Sequence, residues 1–223
     1  MNSDRQAQLA VLFRNGSMLD RKMILDELAQ IPSAVAVPIL QGFFTNSDFL
    51  CRRFAVMGLS SHRTDESFQF LQELLERETD DSVLAEIANT LFDFGDRAIA
   101  LLQTLFERNQ NWLTRQTILS VLVESDREDV LLNVIRLGIL DSTLTVKETA
   151  ILALGRLLDS KYEQETLDIL AELSTADFWR DRWCAATILC LSSNPIAKTL
   201  LAQLRQDENH QVVAAALESK LNN

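Results

Sequence analysis

SDFLCRRFAVMGL, residues 47–59, is the stretch on which the reading of the whole chain turns. Taken alone it is one amphipathic helix behind a capping aspartate. Its pattern returns as DSVLAEIANTLF (81–92), NWLTRQTILSVL (111–122), STLTVKETAILAL (142–154), DFWRDRWCAATIL (177–189) and DENHQVVAAAL (207–217), with MLDRKMILDEL (18–28) as a looser first member. Aligning the stretches on the small or apolar residue at each centre gives Ile24, Ala55, Ala88, Thr117, Ala150, Ala185 and Ala214. The successive separations are 31, 33, 29, 33, 35 and 29 residues. Helices recurring at that period build a solenoid, because one helix pair cannot bury its apolar face without a neighbouring pair.

A second amphipathic set lies between these helices: 36–44, 67–78, 97–108, 128–138, 163–174 and 195–206, with 3–14 as the partner of the first member. Their apolar residues recur at three- and four-residue steps, as at Phe68, Leu71, Leu74 and Leu75. The expected fold is all-α: about seven helix pairs in one domain, forming a curved right-handed superhelix. The approximate repeats are 1–30, 31–61, 62–94, 95–125, 126–158, 159–193 and 194–223. Asp48, Asp81 and Asn194 are placed to cap helix N-termini, with Pro195 at a first helical position and Gly95 in a turn. Pro38 is expected near the start of its helix, taken to begin around Ala36.

Composition narrows the function. The net charge of −11 argues against a nucleic-acid partner, since phosphate binding needs a basic face. Three cysteines without a CxxC give neither a disulfide framework nor a zinc site, and His62 and His210 lie far apart without ligand spacing. No apolar run is long enough to span a membrane and the first residues, MNSDRQAQ, lack a signal-peptide pattern, so a cytoplasmic location is expected.

Asp, two variable residues, an apolar residue, Arg or Lys, two more and then Ala resembles the HEAT-like repeat of the phycobilisome lyases. DFLCRRFAVMGL carries the pattern well, TLTVKETAILALG carries it from Val146 onward, and DENHQVVAAAL keeps the spacing with Gln211 at the basic position. The resemblance runs over essentially the whole chain. In size, acidity and repeat number the chain looks most like the small members that detach bilins during phycobilisome degradation. The resemblance implies phycobiliprotein subunits as partners and a bilin of the phycocyanobilin type as ligand, with no intrinsic cofactor. It also implies a possible carbon–sulfur bond chemistry for which no catalytic signature stands in the sequence. Other acidic or helical protein segments are the partners if the chain is a scaffold without chemistry. FWRDRWCAATIL also resembles the aromatic–basic helix of HEAT-like DNA glycosylases, a reading the net charge opposes.

Candidate site residues come from the repeat alignment. Three positions before each anchor stand Arg21, Arg52, Ala85, Thr114, Lys147, Arg182 and Gln211, with Lys22, Arg53, Arg115 and Arg180 nearby. Equivalent positions of a solenoid align, so these bases are read either as a stripe able to take ligand carboxylates or as a capping ladder of arginines on local aspartates, such as Arg52 on Asp48. Trp112, Trp179 and Trp183 lie in or near first helical turns, Trp179 being the one expected in solvent, and offer a flat aromatic surface. Asp181 stands where other repeats have Cys51, Leu84, Leu113 and Val146. It is read as a solvated pair with Arg180 or Arg182, or, if buried, as a weak candidate proton donor. Cys51, Cys184 and Cys190 are read as packing residues.

Overall fold

The computed structural model describes residues 3–218. Fourteen α-helices occupy these residues, with a single 3-10 turn at Leu154–Leu157 and no strand among them. The odd-numbered helices are α1 (Ser3–Asn15), α3 (Ser33–Gln41), α5 (Asp65–Arg77), α7 (Asp96–Arg108), α9 (Glu128–Ile139), α11 (Glu163–Leu173) and α13 (Pro195–Leu204). The even-numbered ones are α2 (Met18–Leu28), α4 (Phe49–Leu59), α6 (Asp81–Phe92), α8 (Trp112–Leu122), α10 (Leu144–Ala153), α12 (Trp179–Leu189) and α14 (His210–Glu218). Seven helix pairs in this order make an α-solenoid. Contacts group the chain into two compact units, Met1–Ile118 and Leu119–Asn223.

In the first unit α4 packs between α2 and α6. Ala55 and Ala88, the alignment anchors, are fully buried there. Gly58 sets how closely the helices approach: a Cβ at this position would stand 2.7 Å from Leu40 and 2.8 Å from Leu25 side-chain atoms. In the second unit α10 packs on α9 and α12, and α12 packs on α14, with Ala150 and Ala185 fully buried. The anchor at Ala214 differs. It is exposed, and α14 buries Val212, Ala215 and Ala216 instead.

The turns between odd and even helices share one chemistry. A side-chain oxygen takes the N–H two residues on, and that second residue often caps the even helix. Asn46 accepts from Asp48 N–H and Asp48 from Leu50 N–H. Glu78 accepts from Asp80 N–H, and Asp80 from Ser82 and Val83 N–H. Asn109 accepts from Asn111 N–H and Asn111 from Leu113 N–H. In the second unit Asp207 accepts from Asn209 N–H and Asn209 from Gln211 N–H. The cap of α6 is therefore Asp80 rather than Asp81, which instead accepts from Asn111 Nδ2 at 2.8 Å. Asn194 caps α13 with Pro195 in its first turn, as the sequence predicts. Helix α3 starts at Ser33, three residues before the expected start, so Pro38 falls inside it. Gly95 supplies the one positive φ among the described residues, +69°, just before α7.

Arginines near the start of the even helices tie each turn to the next repeat. Arg52 Nη1 donates to the Asn46 and Ser47 carbonyls at 3.0 and 3.1 Å, while Nε and Nη2 grip Glu78 at 2.8 and 3.0 Å. Arg182 does the same in the second unit: Nη1 to Ala176 and Asp177 carbonyls at 2.8 and 3.0 Å, Nε and Nη2 to Asp207 at 2.7 and 3.0 Å. Arg21 binds the Phe13 and Arg14 carbonyls and Asp48, the last at 2.5 Å. The carboxylates lie 26, 25 and 27 residues ahead of their arginines, in the turn of the following repeat, where each also organises its own backbone. Arg52 thus pairs with Glu78, not with Asp48. A turn carbonyl left without an intrahelical partner needs a donor, and the guanidinium has five to distribute.

Charge states follow. The Arg182 hydrogen bonds hold Asp207 below the usual carboxylate range despite its partial burial. Burial alone would raise Glu78 and Asp48, but the bonds from Arg52 and Arg21 with nearby backbone N–H groups outweigh it and hold both low. His62 is buried, with Nδ1 3.1 Å from Ser33 Oγ, and burial pushes its imidazole below the ordinary value.

Two outcomes are expected. Arg52→Met leaves Glu78 buried without its cation and should cost about 3–5 kcal/mol in chemical denaturation. Arg63→Met, at an exposed pair with Asp93, should cost less than about 1 kcal/mol. Equal costs would show that the buried link has no special weight. Acid should act in two steps. His62 has the lower pKa in the folded state, so the stability of its neutral form is intact above about pH 6.5 and declines as pH falls below that. The ladder carboxylates contribute stability present above about pH 4 and lost as pH falls through their lowered values. His62→Gln should abolish the upper step and keep the lower one; a wild-type unfolding free energy that is flat from about pH 7 to 5 contradicts this.

Candidate functional site

The turn and first helical residues of α12 depart from the pattern of the other repeats. Position 176, where other turns carry Asn, Glu or Asp, is Ala, so no side chain there caps the backbone. The N-cap residue is Phe178, without a side-chain cap bond, although Arg182 Nη1 still donates to the turn carbonyls as Arg52 does before α4. With the capping role removed from residues 176–178, this turn accommodates large aromatics.

Two crossed ion pairs join α10 to α12. Lys147 Nζ reaches Asp181 Oδ2 at 2.5 Å, and Arg180 Nη1 reaches Glu148 at 2.8 Å. Asp181 therefore pairs across repeats with Lys147, not with its neighbours Arg180 or Arg182. Only 4% of it is exposed, because it occupies a slot that elsewhere holds a core residue, and Lys147 makes a carboxylate tolerable there. Its second oxygen, Oδ1, is buried and has no hydrogen-bond partner. The aromatics sit outside this charged layer. Phe178 is exposed and Trp179 and Trp183 are half-buried. The Phe178 and Trp179 rings are 6.4 Å apart, and the Arg180 guanidinium lies 5.4 Å from the Trp179 centroid. Arg180 thus pairs with a carboxylate and covers an indole at once.

The other predicted residues are dispersed. Arg52 is spent on Glu78 and the turn carbonyls, and Arg53 reaches Glu86 at 3.0 Å. Arg115 is buried, donates to the Phe106 and Asn109 carbonyls, and lies 4.0 Å from the Phe106 ring centroid. Lys147 and Arg182 are committed as described. Arg21, Arg52, Arg115, Lys147 and Arg182 are thus structural donors rather than a stripe open to ligand carboxylates, while Lys22 is exposed and Arg53 and Arg180 are part-exposed in ion pairs. Among the tryptophans, Trp112 is the exposed one, at 46%, while Trp179 is half-covered, the reverse of the expected order. Phe178 and Glu148 were missing from the predicted site; the mirrored pairs Lys147–Glu148 and Arg180–Asp181 were the signal that could have found Glu148.

Thiol chemistry is closed off at two of the three cysteines. Cys184 is fully buried, and burial, with Glu148 and Asp181 nearby, pushes its thiol up to about 12. Burial also raises Cys51. A nucleophilic or bilin-linked cysteine needs an accessible thiolate, which neither provides. Among the described residues no group of His, Cys, Asp and Glu comes together as metal ligands, and no helix is long and apolar enough to cross a membrane.

Residues 7–91 match the sequence profile of HEAT repeats. Over nearly its full length the chain is similar to the structure of the complex of CpcE and CpcF of phycocyanin lyase from Nostoc sp. PCC7120: 16% identity, 97% of this chain and 87% of that chain covered, TM-score 0.50. In fold, the chain is an α-solenoid, and the HEAT-repeat match lies within its first unit. It is also similar to human deoxyhypusine hydroxylase in complex with glycerol (15% identity, 100% and 86% covered, TM-score 0.47). A computationally designed armadillo repeat protein for modular peptide recognition gives 15% identity, coverage of 95% and 98%, and a TM-score of 0.40. No curated protein sequence matches the chain.

The burial of the thiols has a direct readout. With a thiol-specific aromatic disulfide at pH 8, native protein should label first at half-buried Cys190, with Cys184 and Cys51 reacting only on unfolding. Prompt labelling of Cys184 in folded protein would contradict the packing described.

Proposed function

We propose that this chain is a protein-binding repeat scaffold that engages phycobiliprotein subunits through the aromatic turn of α12. One observation carries the proposal. Phe178, Trp179 and Trp183 stay partly open at a single turn, beside a guanidinium whose charge is balanced by Glu148. Aromatic side chains flanked by a paired charge resemble the residues that carry most of the energy in protein interfaces. The repeat pattern of the even helices and the full-length likeness in fold to phycocyanin lyase support a phycobiliprotein as the partner.

A bilin would meet this surface as part of its protein. Its conjugated rings suit the indole faces, and a propionate would have to compete with Glu148 for Arg180. The ladder arginines are already saturated by carbonyls and carboxylates, which favours a protein partner over free tetrapyrrole. In this reading chromophore detachment proceeds by gripping and distorting the subunit, not through an enzyme thiol. Asp181 is left as a charge-balancing residue of the α10–α12 layer. The described residues offer nothing toward a glycosylase reading, and the net charge of −11 weighs against it.

The test is titration of purified phycocyanin α subunit with the protein, following complex formation by light scattering and the bilin by absorbance. A complex should form in the micromolar range, and Trp179→Ala with Trp183→Ala should weaken it by roughly 30-fold or more while helix content is kept. Loss of attached bilin in the complex would mean detachment, and an unchanged spectrum would mean a scaffold alone. No complex at tens of micromolar would overturn the phycobiliprotein assignment.

A further inference from the structure

The turn from α1 to α2 contains the one Asn–Gly step of the chain, Asn15–Gly16; every other asparagine with a successor precedes a residue that carries a Cβ. An asparagine carboxamide can be attacked at Cγ by the backbone nitrogen of the next residue. A following glycine favours this attack most, because no Cβ crowds the nitrogen and the backbone rotates freely. Asn15 ends α1 and is exposed to solvent. Gly16 is fixed by its surroundings: a Cβ there would stand 2.4 Å from the Leu12 carbonyl oxygen and 2.9 Å from Asp20 Cβ. The turn thus requires the very residue that makes Asn15 labile.

In the folded chain the attacking atom is withheld. Gly16 N–H donates to the Leu12 carbonyl at 2.7 Å, and Asn15 keeps helical backbone angles, at which that nitrogen does not face its Cγ. Both sides of the dipeptide are pinned. Upstream, Arg21 Nε and Nη2 donate to the Phe13 and Arg14 carbonyls at 2.9 and 3.2 Å, and Nη2 is held in turn by Asp48 of the next repeat. Downstream, Ser17 N–H and Oγ both bind Asp20 Oδ2, at 2.8 and 2.7 Å. Attack needs a rotation about Asn15 ψ that breaks the Gly16 bond and displaces the Arg14 carbonyl or the Ser17 N–H. The reaction therefore waits on a local opening of this turn.

We propose that Asn15 is a site of covalent self-modification, losing its side-chain amide through attack by Gly16 N, and that the Arg21–Asp48 link sets the rate in the folded protein. The Gly16 nitrogen gives up its proton to solvent base and bonds to Asn15 Cγ; the Cγ–Nδ2 bond breaks and the amide nitrogen leaves as ammonia. Water then opens the resulting five-membered imide at either carbonyl, giving aspartate or isoaspartate at position 15. The sum is amide plus water to carboxylic acid plus ammonia, with nothing oxidised or reduced. Either product places a negative charge at the C-terminal end of α1, where the helix dipole opposes it. Isoaspartate also lengthens the main chain by a methylene, so Gly16 N–H loses the Leu12 carbonyl and Arg21 loses its register on residues 13 and 14. The modification therefore loosens the link that caused its delay. The inference is independent of the α12 proposal and involves none of its residues.

Peptide mapping by mass spectrometry, with aspartyl and isoaspartyl forms separated, tests it on the full chain incubated in mildly alkaline buffer. Asn15 should convert about tenfold or more slowly in native protein than in denaturant. Asp48→Asn keeps an N-cap side chain for α4 while removing the charge that holds Arg21, and should speed conversion several-fold in folded protein. Arg21→Lys, which cannot serve both carbonyls and Asp48, should act in the same direction, whereas Arg63→Met should change nothing. Asn15→Gln should abolish the mass change. In wild type alone, amide exchange at Gly16 and conversion of Asn15 should rise together in low urea. Equal rates in native and denatured protein, a rate unmoved by both Asp48→Asn and Arg21→Lys, or exchange and conversion that part in low urea overturns control by the link. An Asn15 that stays intact in the denatured chain overturns the site itself.

Discussion

The interaction on which the rest of the architecture depends is a three-way link: one guanidinium, two turn carbonyls and a carboxylate of the next repeat. Helices end with carbonyls that have no intrahelical partner, and a chain of short helices multiplies such ends. Arg21 meets this demand at the end of α1, and Arg52 and Arg182 meet the like demand of carbonyls in the turns beyond α3 and α11, with one nitrogen on the turn and two on Glu78 or Asp207. The same carboxylates organise the backbone of their own turns. A capping problem inside one repeat and a docking problem between two repeats are thereby solved by the same atoms. Because both partners are largely desolvated, the link is costly to break from one side only.

This arrangement reconciles an acidic chain with a conspicuous set of basic residues. Arg21, Arg52, Arg115 and Arg182 act as largely buried donors to turn carbonyls, so their charge is spent inside the fold. What remains for recognition in the second unit is the aromatic Phe178–Trp183 turn, which carries a balanced charge pair and suits a protein surface.

Much of the fold was legible in the sequence because it rests on period. The recurrence of small residues between Ala55 and Ala185 marks where even helices pack, and four of those anchors are fully buried. The basic column three positions earlier was legible as well, and one of its two readings, a capping ladder, is close to the observed structure. Its partners were not legible. The i to i+4 rule points Arg52 at Asp48, whereas the turn directs it to Glu78, 26 residues on. Likewise Asp181 reads as a partner of its flanking arginines, but the helix turns both away and brings Lys147, 34 residues earlier in the chain, to it. Exposure of the tryptophans also escaped prediction. Spacing assigns a helix face, but which neighbouring helix covers that face depends on packing that no single-helix pattern contains.

The central claim, that arginine and carboxylate act as one structural unit across repeats, is tested most directly by a double-mutant cycle on Arg182 and Asp207. Unfolding free energies of wild type, Arg182→Met, Asp207→Asn and the double variant should give a coupling of about 2–4 kcal/mol, the range for buried charge pairs rather than exposed ones. Costs that add to within about 0.5 kcal/mol would contradict the account, because they would make the link no more than a surface contact.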